Sequence, residues 1–66
     1  MVKDIVQTPH GMGEVVKREA VDGYLRDRYL VRVFTLSDNI LLQNLQNRQG
    51  GLFYFEKDLK VIEAAL

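Results

Sequence analysis

Alternating apolar and polar positions predict short β-strands along most of the chain. Residues 14–18 contain a β-branched pair, and residues 28–34 combine β-branched with aromatic side chains, both of which suit a pleated surface. Residues 52–55 form a concentrated aromatic run, and residues 60–62 make a last short strand. Between these two strands, residues 56–59 suit a single helical turn.

Residues 39–49 fit two structures. Apolar residues at positions 40, 41, 42 and 45 partly match helical spacing, and a polar side chain within 37–39 could cap a helix. Residues 46–49, however, contain no apolar side chain that would continue such a stripe. A strand over residues 40–45 fits the spacing of the neighbouring turns better, so we predict a strand there and keep the helix as the alternative.

Four breaks separate these segments and set the fold class. They are residues 8–13, with one proline and two glycines, then Asp22-Gly23, residues 37–39 and the amide-rich residues 46–51. Five short strands at intervals of about ten residues predict an all-β fold in one domain over residues 1–66. We expect a small five-stranded barrel with a short helical turn before its last strand, since a closed barrel leaves no free strand edge.

The turn His10-Gly11-Met12-Gly13, followed by a valine-rich strand and by Tyr29-Leu30-Val31, resembles the opening of SH3-like, Tudor-like barrels. In particular, it is similar to the RNA polymerase-interacting domain shared by CarD-type transcription regulators and transcription-repair coupling factors. Residues 53–62 resemble the last strand, helical turn and final strand of many SH3-like barrels. The resemblance implies an SH3-like fold and a partner in the transcription machinery, RNA polymerase. Where that family has a proline-containing strand, this chain has Leu42-Gln43-Asn44-Leu45.

Composition excludes several classes of function. The 66 residues include no cysteine, which rules out disulfides, thiolate metal sites and thiol catalysis. His10 is the only histidine, so we expect a turn residue there and no metal site. Nine basic residues balance nine acidic ones, which disfavours binding through bulk electrostatics. The longest apolar run, Leu52–Phe55, is far too short to span a membrane. We therefore expect a cytoplasmic, non-catalytic protein without a cofactor.

Strand alternation suggests an exposed apolar patch. In residues 28–34, the side chains of Leu30, Arg32 and Phe34 share one face, and the arginine marks that face as the outer one. If Phe53 and Phe55 are buried, Tyr54 also stands outside. We therefore predict a binding patch for a protein partner or for a second copy of the chain. Its members are Leu30, Arg32, Phe34 and Tyr54. The alternative is that an N-terminal strand around residues 5–6 covers this face.

Nucleic-acid binding is an alternative function. A strand face that shows Arg32 between two apolar side chains could stack a base. Five basic residues lie in the same half of the chain, but four acidic neighbours leave a local excess of one. These basic residues are Lys17, Arg18, Arg26, Arg28 and Arg32.

Catalysis has one precedent on a barrel of this size. The turn Gly11-Met12-Gly13 resembles that of plasmid-type dihydrofolate reductases, whose activity depends on a Gln-Ile-Tyr strand motif in a pore between four copies. The comparable strand here reads Phe53-Tyr54-Phe55 and lacks the glutamine. We therefore do not expect reductase activity.

Overall fold

The computed structural model describes residues 1–20, 27–36 and 39–65. The predicted turns at Asp22-Gly23 and Ser37-Asp38 lie outside these residues. Within them the chain forms five strands, one α-helix and one turn of 3-10 helix. In chain order these are β1 (Ile5–Thr8), β2 (Gly11–Ala20), β3 (Asp27–Val33), α1 (Ile40–Gln49), β4 (Leu52–Phe55), the 3-10 turn (Glu56–Asp58) and β5 (Lys60–Glu63).

The strands form one antiparallel sheet in the order β4-β3-β2-β1-β5. The all-β class, the number of strands and the helical turn before the last strand are confirmed. The predicted closure of the barrel is not observed, because β4 and β5 end the row and form no pairing with each other among the described residues. The count of five includes β1, which takes the place of the strand predicted over residues 40–45 and pairs with both β2 and β5.

The predicted strand over residues 40–45 is wrong, because this segment begins the helix α1. Both ends of the helix are capped. The Asn39 side chain accepts a hydrogen bond from the Leu42 backbone N–H at 3.1 Å. At the other end, Gly50 adopts a left-handed conformation with φ 82°, and its N–H donates to the Gln46 carbonyl at 2.7 Å.

A side-chain amide of α1 completes the hydrogen bonding of β3. The Val33 N–H donates to Gln46 Oε1 at 2.8 Å, and Gln46 Nε2 donates to the Val33 carbonyl at 2.9 Å. The β3–β4 register pairs Val31 with Leu52, so its continuation would place Gly50 opposite Val33. Gly50 lies at the end of the helix and not in β4, so Gln46 supplies the donor and the acceptor that a strand residue opposite Val33 would have supplied.

The core lies on one face of the sheet. Val6, Val15 and Val31 are fully buried at its centre, and Leu42 of α1 packs against the buried cluster from the side. Gly13 allows β2 and β3 to approach closely, since a Cβ atom there would lie 2.5 Å from the Arg32 carbonyl oxygen.

Replacing Gln46 with alanine should destabilise the fold. Gln46→Ala removes both hydrogen bonds to Val33, so we expect the free energy of unfolding to fall by about 1–3 kcal/mol. Asn47→Ala is the matched control, because Asn47 is an exposed amide on the same helix and alanine has the higher helix propensity. Urea unfolding of both variants measures the difference. Equal stability of Gln46→Ala and the control would show that the amide does not support β3.

Candidate functional site

The four residues of the predicted patch do not form one exposed surface. Arg32 is exposed, and Phe34 retains 53% of its accessible surface. Leu30 and Tyr54 are buried, at 3% and 8% exposure. The structure therefore separates the two pairs, although a binding role for any of them stays a prediction.

The reason for this separation is the orientation of β4. Leu52 and Tyr54 belong to the buried core cluster, whereas Phe53 and Phe55 are half-buried on the opposite face. This reverses the predicted orientation of the strand. Tyr54 consequently shares the core face with Tyr29, Val31 and Val33, which alternation correctly assigned to one side of β3.

Leu30 does share a face with Arg32, but neighbouring chain covers it. It lies opposite Phe53 in the β3–β4 register. A Cβ atom on Gly51 would be only 3.0 Å from the Leu30 Cγ and Cδ1 atoms, so the bend between α1 and β4 packs directly against this leucine.

Basic side chains on the outer face of β2 and β3 are paired with carboxylates. Arg32 contacts Glu14 at 3.1 Å. Arg28 forms hydrogen bonds with Glu19, and the Lys17 ammonium lies 3.7 Å from the same carboxylate. The hydrogen bonds from Arg28 hold the pKa of Glu19 below its usual value. Such pairing leaves little free positive charge along these strands for a phosphate backbone.

Arg28 has a second contact, with an aromatic ring. Its guanidinium lies 3.9 Å from the centroid of the Phe53 ring, in a cation–π arrangement. Arg28 thus contacts both Glu19 and Phe53, which limits its availability to a partner.

A groove lies between α1 and β4. It has a volume of about 280 Å³ and a mostly apolar wall. The lining side chains are His10, Leu42, Leu45, Gln49, Leu52, Phe53 and Tyr54. Apolar concave surfaces with a few polar groups are typical of binding sites, and this groove joins the exposed side chains of α1.

A hydrogen bond between the turn that joins β1 to β2 and the edge strand β4 lies at the polar end of the groove. His10 Nδ1 lies 2.7 Å from the Tyr54 hydroxyl oxygen. The buried Thr8 hydroxyl donates to the Gly11 carbonyl at 2.7 Å and accepts from the His10 N–H at 3.0 Å, which holds the turn in place. His10 is therefore a turn residue, as predicted, and it also contacts β4.

Burial raises the pKa of the Tyr54 hydroxyl above its usual value. The Tyr54 phenol consequently stays protonated in the folded protein to a higher pH than in the unfolded chain.

A second depression lies beside Gln46 and shares no lining residue with the groove. It has a volume of about 370 Å³ and is lined by Arg32, Val33, Phe34 and Gln46. The two exposed members of the predicted patch, Arg32 and Phe34, therefore lie together, away from Tyr54.

Sequence reasoning missed most of the groove. Leu42 and Leu45 line it only because residues 40–49 form a helix, and the strand prediction could not place them there. The available signal was the combination of a capping residue before Ile40 and glycine after Gln49, which marks the two ends of a helix.

Raising the pH should destabilise the protein through Tyr54. Below about pH 10 both states keep the phenol protonated; above it the unfolded chain loses its proton first, so the free energy of unfolding falls. Tyr54→Phe has no phenolic hydroxyl at this position, so its free energy of unfolding should fall less between about pH 9 and pH 11. Urea unfolding across that range measures the effect. A variant whose profile parallels that of the original chain would contradict the burial argument.

No helix among the described residues is long and apolar enough to cross a membrane. The same residues contain no group of three or more potential metal-ligating side chains. Comparisons with protein-family models, with curated proteins and with solved structures find no match to this chain. Its function is therefore argued from its own geometry.

Proposed function

We propose that the chain is a non-catalytic protein-interaction module that acts in the cytoplasm. The observation that carries this proposal is the exposure of its apolar side chains. Among the described residues, nine large hydrophobic side chains are exposed and nine hydrophobic residues are buried. Isolated exposed hydrophobic residues are normal, but a contiguous set of them marks an interaction surface.

The contiguous set lies on α1. Leu41 and Leu45 are 82% and 39% exposed and stand one turn apart on the same side of the helix. Leu45 also lines the groove, whose wall continues the apolar surface toward β4. We name Leu41, Leu45 and the residues that line the groove the helix–groove surface, and we propose it as the contact site.

The resemblance of residues 8–13 and 29–31 to RNA polymerase-interacting domains suggests RNA polymerase as the first partner to test. The nucleic-acid alternative has less support, because four of the five basic residues considered for it are held in ion pairs: Lys17, Arg18, Arg28 and Arg32.

A pair of matched variants tests the contact site. Leu41→Gln with Leu45→Gln removes the exposed leucines and retains high helix propensity, and we expect it to weaken binding to purified RNA polymerase at least about tenfold. Met12→Gln with Phe34→Gln is the control, since these side chains are 43% and 53% exposed and do not line the groove. Binding is measured by biolayer interferometry, and circular dichroism checks that both variants fold.

The reverse result would move the contact site to the outer face. If the Met12/Phe34 variant loses binding and the Leu41/Leu45 variant keeps it, the helix–groove surface is not the site. If RNA polymerase does not bind the original chain, the polymerase proposal is wrong. Partners captured from lysate are then compared between the two variants, and equal capture by both and by the original chain would overturn the interaction surface itself.

A further inference from the structure

The segments that bound the groove have an unusual distribution of charge. Residues 8–13, the helix α1 and the strand β4 contain no aspartate or glutamate, in a chain with nine acidic residues. The only formally charged residue in these three segments is Arg48, and His10 is their only other titratable base. The acidic residues that balance the charge of the chain therefore lie elsewhere in its sequence.

Arg48 differs from the arginines of β2 and β3. Within residues 1–20, 27–36 and 39–65, Arg18, Arg28 and Arg32 each contact a carboxylate, whereas Arg48 has no ion pair. It lies in the last turn of α1, three residues after Leu45, which lines the groove and is its neighbour on the helix surface. A free cation beside an apolar groove without acidic groups is complementary to a negatively charged ligand.

The size of the groove limits what can enter it. A volume of about 280 Å³ lies just below the range of pockets that hold drug-sized molecules. Its apolar wall is formed by Leu42, Leu45, Leu52 and Phe53. These dimensions suit one bulky apolar side chain better than a larger group.

Polar groups at the edge of the groove suit an extended peptide. The Gln49 side chain has an amide group. The hydrogen bond between His10 Nδ1 and the Tyr54 hydroxyl orients the imidazole ring, so its other nitrogen, Nε2, can bond to a ligand. Both can form hydrogen bonds with a backbone that passes over the groove.

We propose that the groove binds a short acidic segment of a partner protein, which inserts one bulky apolar side chain and sets its carboxylates beside Arg48 and His10. This inference rests on the proposed interaction function and specifies the chemistry of the partner. The apolar side chain supplies burial, and the carboxylates supply orientation and selectivity.

Synthetic peptides test this chemistry directly. The probe is a five-residue peptide with a central phenylalanine and two glutamates on each side, blocked at both ends. Two controls replace the phenylalanine with serine or the glutamates with lysines. In a nuclear magnetic resonance titration, we expect the probe to shift the backbone amide signals of Gln49, Leu52 and Phe53. Both controls should bind at least about tenfold more weakly, and binding of the probe should weaken as salt rises from about 50 to 500 mM.

Protein variants assign the two contributions. Leu45→Gln should weaken binding of the probe about tenfold through the lost apolar contact. Arg48→Gln should weaken it about threefold or more and reduce the dependence on salt. Lys57→Gln is the matched control, because Lys57 is an exposed cation in the 3-10 turn and not in the groove; it should bind as the original chain does.

The outcomes distinguish this inference from the proposed function. Equal affinity for the acidic and basic peptides, or shifts confined to the outer face, would overturn the acidic-segment proposal. If the Leu41/Leu45 variant still loses its protein partner in that case, the interaction function stands and only its chemistry is wrong. Sedimentation that shows a dimer disrupted by Leu45→Gln, with no binding of the probe, would also overturn the proposal and assign the groove to a second copy.

Discussion

The paired hydrogen bonds between the Gln46 amide and the Val33 backbone determine how the rest of the molecule is arranged. β3 lies between β2 and β4, but β4 is shorter and stops before Val33. Gln46 acts in place of a strand residue beside Val33. The N–H and the carbonyl of Val33 therefore stay hydrogen-bonded although β4 does not extend to them. The same contact fixes α1 against the sheet, which creates the groove and turns Leu41 away from the core.

Charge and apolar surface are separated in this fold. On the outer face of β2 and β3, Glu14 and Glu19 pair with arginines, and the Phe53 ring contacts the Arg28 guanidinium. Exposed ion pairs of this kind contribute little to stability, but they compensate most of the positive charge that this face could offer to a partner. The helix–groove surface has uncovered apolar groups, and Arg48 of the same helix forms no ion pair within the described residues. The features that favour recognition therefore lie on the side of the molecule that carries α1.

Sequence periodicity located β3, β4, β5 and the helical turn to within about two residues, because each segment carries its own pattern of β-branched or aromatic side chains. It did not locate α1, because apolar side chains occupy only positions 40–42 and 45 and residues 46–49 have none; the end signals at Asn39 and Gly50 were the better guide. Nor could it orient β4, where Leu52, Phe53, Tyr54 and Phe55 are all apolar or aromatic and either face suits the core. The register with β3 decides the orientation, and that is a property of the assembled sheet.

The pairing of β1 with β5 makes the two halves of the molecule depend on each other during folding. Ile5 pairs with Glu63 and Gln7 with Lys60, so these contacts join residues from nearly opposite parts of the sequence. The β1–β2 hairpin is local and closes with little loss of chain entropy, whereas β5 must be brought back across almost the whole chain. The β1–β5 pairing therefore closes the longest loop of any strand pair in the sheet, and it covers an edge of β1 that would otherwise be open to strands from other chains.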